Sequence, residues 1–397
     1  MDKIILKRGR EESLRRFHPW VFSGAIADIS GNPAEGDIVG VFASDGSFLA
    51  YGHYQIGSIA VRILSFDGDV LKDDFYEKMI GRALEARKAV CLEGSETTSC
   101  YRLVHGEGDN LPGLIIDYYD GVCVMQAHSV GMFRAKRQIT AALKKVYGER
   151  LKAVYDKSSG TAPFKAGLEL VDGYLYKADG FSSDEMTVLE NGCKFLVSWT
   201  EGQKTGFFLD QRENRAAVRR YSSSRNVLNL FCYTGGFSIY ALNGGAVHVD
   251  SVDSSKKAMD MVERNIALNG FDASVHTSYC EDAIDFLRKV PEGKYDLIIV
   301  DPPAFAKHRG ALSNALRAYQ RLNASAISKV APGGLVFTFS CSQVVDKESF
   351  ALAVFSAAAQ TGRSVRILDR MNQPADHAVN IYHPEGEYLK GLLLYVE

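Results

Sequence analysis

Short apolar runs separated by turn residues fill positions 1–70. VGVFAS, FLAYGHY and IAVRILSF are rich in β-branched and aromatic residues, and Gly31-Asn32-Pro33, Asp45-Gly46 and Asp67-Gly68 punctuate them. The pattern predicts a small β-barrel or sandwich over 1–70. From Asp73 to about Leu92, apolar residues recur every three and four positions, which predicts a helix. LVHGEGDNLPGLIIDYYDGVCVMQAHS then reads as a β-hairpin region turning at Gly113 and Asp120-Gly121. MFRAKRQITAALKKVYG predicts a second amphipathic helix and LKAVYDK a strand. These elements outline a central α+β domain over 71–185.

After Arg225 the rhythm becomes regular. NVLNLF, AVHVDSVDSS, YDLIIVDPP and LVFTFSCS read as strands. FSIYALNGG, SKKAMDMVERNIALNG and ALRAYQRLNASAISKVAPGG read as helices, the last closing in Pro-Gly-Gly. Such alternation predicts an α/β domain over 186–397 with a doubly wound, mostly parallel sheet. GEYLKGLLLYVE reads as a closing antiparallel strand.

Composition narrows the function. Of 397 residues, 46% are hydrophobic and 24% charged, and the net charge is −2. These values exclude a disordered tail protein, a collagen-like chain, a coiled-coil rod and a globally basic nucleic-acid binder. A locally basic start stands out: Lys3, Lys7, Arg8, Arg10, Arg15 and Arg16 outnumber Asp2, Glu11 and Glu12. No apolar run approaches the roughly 18–20 residues of a membrane span, so no membrane partner is expected. MDKIILKRGREESLRRF is charged throughout and does not read as a secretory signal. The seven cysteines form no CxxC pair and no zinc spacing, so no metal site is expected. A reducing, cytoplasmic location is the natural reading.

Candidate chemistry sits at the strand ends of the last region. In NVLNLFCYTGGFSIYA a strand runs into Tyr233-Thr234-Gly235-Gly236-Phe237 and then a helix. Glycines there let the backbone turn tightly and approach a ligand at a helix N-terminus. VDSVDSS offers a carboxylate at the end of the next strand, where it accepts from the two hydroxyls of a ribose. Asp253 is preferred, because it precedes the helix start; Asp250 is the rival. Asp282 before the next helix is a candidate for an adenine amine or a plain helix cap. IIVDPPAF delivers Asp301 to the same edge, and Pro302 and Pro303 hold the following backbone extended. The ordered set resembles the motifs of class I S-adenosylmethionine-dependent methyltransferases. A NAD-binding Rossmann enzyme competes on fold grounds, but GxGxxG is missing.

LVFTFSCSQ places Cys341 just past a strand end. Methylation of C5 of a pyrimidine needs such a thiol, because that carbon is a poor nucleophile. Thiolate attack on C6 makes C5 enamine-like, and loss of the C5 proton later expels the thiolate. Asp301 is placed to hydrogen-bond the base. Cys232, inside the glycine turn, is the rival thiol, and a buried structural cysteine is the bland alternative.

Nearly the full length resembles the bacterial 23S ribosomal RNA large-subunit (cytosine-C5) methyltransferases. The marks are RRFHPWVFSGAI (15–26), GEGDNLPGLIIDYY (106–119), QKTGFFLDQRENR (203–215), NLFCYTGGFS (229–238), VDSS (252–255), VDPPAF (300–305), FTFSCS (337–342) and ADHAVNIYHPEGEYLKG (375–391). The resemblance implies an N-terminal PUA domain, a central α+β domain and a Rossmann-like catalytic domain. It implies S-adenosylmethionine as cofactor, and 23S ribosomal RNA or a large-subunit assembly particle as partner. It implies Cys341 as nucleophile and Asp301 as the acid of the Asp-Pro-Pro motif. Cofactor contacts are implied for Tyr233, Thr234, Gly235, Gly236, Phe237, Asp253, Asp282, Asp301 and Pro302. A homodimer fits the family. One departure is notable: some cytosine-C5 enzymes carry a second cysteine after the proline of this motif, where Pro303 and Ala304 stand here.

KTGFFLDQR reads either as a cover for the cofactor's methionine end, through Gln211 and Arg212, or as an RNA-backbone contact through Lys204. A strand and helix cap at a domain junction is the bland alternative. Arg15, Arg16, His18 and Trp20 offer phosphate contacts and a stacking surface, so the first domain is expected to bind RNA. Related catalytic domains methylate guanine and share KTGFFLDQR-like and Asp-Pro-Pro motifs; the cysteine of FTFSCS separates the cytosine reading from theirs. Methylation of guanine or uracil in RNA, and a non-catalytic RNA-binding or assembly factor, stay open as alternatives.

Overall fold

The punctuated runs at the N-terminus pair into a six-stranded sheet. The structure, a computed structural model, describes every residue except 164, 165 and 307. The strands are β1 (Lys3–Leu6), β2 (Trp20–Phe22), β3 (Ile26–Ser30), β4 (Ile38–Phe42), β5 (Phe48–Tyr54) and β6 (Ile59–Ser65), in the order β2-β6-β5-β4-β1-β3. Only β1 and β4 pair in parallel. Period-two alternation sends Ile4 and Leu6, Val39 and Val41, and Val61 and Ile63 into one core, closed by Leu14 of the short helix α1 (Glu12–Arg15).

Next come α2 (Phe75–Ala89), the meander β7 (Cys100–His105), β8 (Leu114–Tyr119) and β9 (Val122–Ala127), then α3 (Val130–Arg134) and α4 (Lys136–Tyr147). The single amphipathic helix read over this last stretch is two, joined at Ala135. Strand β10 (Ala153–Asp156) pairs in parallel with β9, and β11 (Gly173–Lys177) closes the sheet. Met79, Ile80 and Leu84 of α2 and Ile139 and Leu143 of α4 share one core with this sheet. Strands β12 (Glu185–Glu190) and β13 (Cys193–Ser198) form a hairpin. Its turn is Asn191-Gly192, both at positive φ, which matches the twist of a two-residue hairpin.

Helix α5 (Arg212–Tyr221) precedes a seven-stranded sheet. In chain order come β14 (Asn226–Leu230), α6 (Gly236–Asn243), β15 (His248–Asp253), α7 (Lys256–Leu268), β16 (His276–Cys280), α8 (Ala283–Lys289), β17 (Tyr295–Val300), α9 (Leu312–Lys329), β18 (Val330–Ser340), α10 (Lys347–Thr361), β19 (Val365–Asn372) and β20 (Lys390–Val396). The order is β16-β15-β14-β17-β18-β20-β19. Five strands are parallel, and β20 is antiparallel to β18 and β19. The chain leaves β14 in one direction and returns to its other side at β17, so a topological switch point opens between them. Pro332-Gly333-Gly334 do not end α9. They lie in β18, whose pairing shifts register between Tyr295 and Leu297 of β17 to accommodate them.

Contacts divide the chain into two compact units: Met1–Val188, Val197–Leu209 and Ala375–Gly386, and Leu189–Leu196, Asp210–Pro374 and Glu387–Glu397. The division differs from unbroken boundaries at 70 and 185, because two stretches of 186–397 are tied to the first unit. Thr205 Oγ1 donates to Asp117 Oδ2 (2.6 Å), and the Arg102 N–H donates to Asp376 Oδ2 (2.9 Å). Among the described residues no helix is long and apolar enough to cross a membrane.

Candidate active site

Strand register brings the candidate residues to one edge. Leu230 pairs with Val252 on one side and Val300 on the other. Asp253 pairs with Cys280, and Val300 with Thr338. The segments that follow β14 to β18 therefore emerge together at the carboxyl ends of the parallel strands, where open α/β sheets bind ligands.

The turn after β14 is held in unusual backbone. Phe231, Tyr233 and Gly235 all have positive φ, at 57°, 47° and 80°. The Cys232 N–H donates to Val252 O (3.1 Å) and the Gly235 N–H to Cys232 O (2.8 Å). A Cβ at Gly235 would meet both methyls of Val262 at 3.2 Å. At Gly236 it would stand 3.1 Å from Arg215 Cδ, and Arg215 is fixed by a bidentate pair with Glu190 at 2.7 Å. Asn265 Nδ2 donates to Thr234 O (2.9 Å), while buried Thr234 Oγ1 finds no partner among the described residues. Gly235→Ala forces a methyl-bearing residue to positive φ against Val262. We expect it to cost about 1–3 kcal/mol and to lower the melting temperature by several degrees, read in a thermal melt.

Asp253 braces this turn. Its Oδ2 accepts from the Tyr233 N–H (3.0 Å) and its Oδ1 from the Ser255 N–H (2.9 Å). Each carboxylate oxygen keeps a further lone pair for a ligand hydroxyl. Asp250 is differently placed. It is buried in mid-strand and engaged by Lys294 (2.8 Å), His248 Nε2 (3.1 Å) and the Tyr295 hydroxyl. Asp282 is exposed and caps α8, with Oδ1 accepting from the N–H groups of Ile284 (2.9 Å) and Asp285 (3.0 Å).

Asp301, half-buried, directly follows β17, with buried Pro302 behind it. Cys341, also half-buried, directly follows β18. The two serines around it are buried and engaged. Ser340 Oγ donates to the Tyr319 hydroxyl (2.9 Å), Ser342 Oγ lies 3.2 Å from the same hydroxyl, and the Ala306 N–H donates to Ser342 Oγ (3.4 Å). The Cys341 loop is thus tied both to α9 and to the Asp-Pro-Pro loop. Tyr319 was not singled out in the sequence; its place on the buried stripe of α9 marks it only as core. The rival thiol differs: burial, then the charge of Asp253, pushes the Cys232 thiol well up, and its sulfur packs 3.8 Å from Met259 Sδ.

The KTGFFLDQR segment is divided between the units after residue 209. Exposed Lys204 lies over the Phe208 ring at 4.4 Å in the first unit. Gln211 and Arg212 belong to the second and are buried at the start of α5, Gln211 Oε1 accepting from Asn214 Nδ2 (2.6 Å). In the first unit Arg15 and Arg16 are exposed, and His18 and Trp20 half-buried. The Trp20 ring packs 4.3 Å from His383, and its Nε1–H donates to Glu107 (2.8 Å). His18 and His383 each place Nε2 at 3.9 Å from Glu385. His18 Nδ1 accepts from the Trp20 N–H (3.2 Å), so its Nε2 carries the proton and offers no lone pair to a metal.

Residues 102–393 match the S-adenosylmethionine-dependent methyltransferase family, and residues 4–66 match a PUA-like domain. Ribosomal RNA large subunit methyltransferase I of Pseudoalteromonas translucida is 41% identical over 394 residues, covering 98% of each chain. The chain belongs to this methyltransferase family. Ribosomal RNA large subunit methyltransferase I of Aeromonas salmonicida is likewise 41% identical over 396 residues, with the same 98% coverage of each. The family's fold recurs in a Streptococcus mutans protein assigned as a SAM-dependent methyltransferase, at a TM-score of 0.84, 24% identity and full coverage of both chains. Another solved structure, of a protein assigned as a methyltransferase and complexed with SAH, aligns at 0.86, also at 24% identity and full coverage of both chains. The cofactor of this methyltransferase is S-adenosylmethionine, and the expected α/β catalytic fold with a PUA-like N-terminal domain is what the chain has.

Proposed function

We propose that the protein methylates C5 of a cytidine in 23S ribosomal RNA, with Cys341 as covalent nucleophile. The observation that carries this reading is the half-buried Cys341 at the end of β18, in a loop hydrogen-bonded to the Asp301-Pro302-Pro303 loop. The substrate class comes from the names of the full-length relatives.

The residues at the edge fit S-adenosylmethionine. Asp253 has lone pairs for both ribose hydroxyls, Asp282 keeps Oδ2 for an adenine amine, and Thr234 Oγ1 is a buried polar atom that lacks a partner among the described residues. The close-packed glycine turn, Tyr233 to Phe237, leaves its backbone to face a ligand. When bound, the cofactor supplies an electrophilic methyl group.

The rest is the work of this chain. The Cys341 thiolate forms a bond to C6 of the base, and the electron pair of the C5–C6 double bond becomes available at C5. After C5 gains its methyl, loss of the C5 proton restores the double bond and breaks the S–C6 bond, returning the thiolate. Asp301 hydrogen-bonds the polar edge of the activated base, and a base within a duplex is flipped out first. Arg15, Arg16, His18, Trp20 and Lys204 supply phosphate contacts and stacking for the RNA. The compartment is the cytoplasm.

RNA carrying 5-fluorocytidine tests the adduct. Fluorine cannot leave C5 as a proton does, so the S–C6 bond persists. Wild type is expected to form a complex that survives denaturing electrophoresis, and Cys341→Ala none. No complex with wild type, or an equal one with the variant, would count against the reading.

A further inference from the structure

Lys390 opens β20 opposite Ser340 of β18, next to Cys341 in the chain. It is 6% exposed. Its Nζ donates to the carbonyl oxygens of Ser342 (2.6 Å), Val345 (2.5 Å) and Tyr388 (2.9 Å). An ammonium has three protons and no acceptor, so these bonds use all of its donors. Two of the three carbonyls belong to the loop that follows Cys341.

What this buried cation lacks is a hydrogen-bonded carboxylate among the described residues. Glu387 is paired with Lys347 (2.5 Å), and Asp346 caps α10 by accepting from the Ser349 N–H (2.6 Å). An ammonium surrounded by neutral carbonyls is costly unless an anion comes near. Burial lowers its pKa to about 8, while Cys341, Asp346 and Glu387 act to raise it and Lys347 to lower it. The attraction is mutual: a cation beside a thiol favours the thiolate.

We infer that Lys390 is a positioning residue, whose ammonium fixes the loop that carries Cys341 and stabilises the Cys341 thiolate. The inference rests on the reading of Cys341 as the nucleophile. It gives the thiolate a counter-charge that is built into the fold and present before RNA binds.

The test is alkylation of the full chain with iodoacetamide, mapped by peptide mass spectrometry across the pH range in which thiols titrate. In wild type, Cys341 is expected to titrate below the free-cysteine value of about 8.5. Lys390→Met is expected to raise its midpoint by about one pH unit, leaving roughly ten-fold less thiolate at neutral pH. Lys390→Arg keeps the midpoint low, and exposed Cys280, mapped in the same digests, is the internal control for alkylation efficiency. A clamp with no electrostatic role lowers the melting temperature of Lys390→Met but leaves the Cys341 midpoint in place, which overturns the inference. If Lys390→Met does not fold, the wild-type midpoint decides, because a value at or above about 8.5 is also contradictory. The alkylation needs neither RNA nor cofactor. Loss of the cytidine reading therefore shows in the methylated product, and loss of this inference shows in the midpoint.

Discussion

Cys341→Ala is expected to abolish methyl transfer, with turnover reduced by roughly a thousand-fold or more. Without the thiolate, C5 of the base has no enamine character and does not attack an electrophilic methyl. The loss is local, because the strand end is held from other positions. Ser340 and Ser342 stay bonded to Tyr319, and Lys390 still holds the carbonyls of Ser342 and Val345. Cofactor affinity, measured by calorimetry, and melting temperature are expected to match wild type. Full activity in this variant contradicts the covalent mechanism and favours a base that needs no thiol, such as guanine.

Asp253→Ala is expected to weaken S-adenosylmethionine binding by about 100-fold or more. Two charge-assisted hydrogen bonds to the ribose go, each contributing about 1.5–3 kcal/mol, and 1.4 kcal/mol is a factor of ten. The variant also strips the acceptor from the Tyr233 and Ser255 N–H groups, so the positive-φ turn loses its brace. Isothermal titration calorimetry reads the affinity. Asp250→Asn is the contrasting variant. Its side chain is spent on Lys294, His248 and Tyr295, so the change is expected to lower the melting temperature and leave affinity near that of wild type. The reverse pattern would assign the ribose to Asp250.

Much of the catalytic sheet is legible because its strands are buried on both faces. YDLIIV is a near-continuous apolar run, as parallel strands commonly are, and in NVLNL the apolar residues are interrupted by buried Asn229 alone after the exposed Asn226. The carboxylates at their ends are conspicuous for the same reason. β19 carries no such signal: its side chains are almost all exposed, and Arg366, Asp369 and Arg370 interrupt the pattern. α10 is obscured differently. Its apolar residues are not confined to one stripe, and Leu352 and Phe355 remain exposed, so the spacing does not announce a helix with one buried face. The two stretches that join the first unit, 197–209 and 375–386, are also invisible to local pattern. Their membership arises from contacts between residues far apart in the chain, such as Thr205 with Asp117 and His383 with Trp20.

The candidate site shows the same limit. Cys341 is legible from a strand that ends in Ser-Cys-Ser. The groups that hold it are not. Tyr319 reaches Ser340 across 21 positions, and Lys390 reaches the Ser342 carbonyl across 48. Neither pairing has a signature in spacing, because each arises from helix packing or from the antiparallel register of β18 and β20. The motif EYLKG marked the region without giving its lysine a role.

Methyl transfer from labelled S-adenosylmethionine to 23S ribosomal RNA lacking modifications tests base, carbon and nucleophile together. The product is digested to nucleosides and identified by mass spectrometry, with wild type and Cys341→Ala side by side. The cysteine mechanism on cytidine predicts 5-methylcytidine from wild type and none from the variant. A methylated guanosine from wild type, or equal 5-methylcytidine from both proteins, would contradict it.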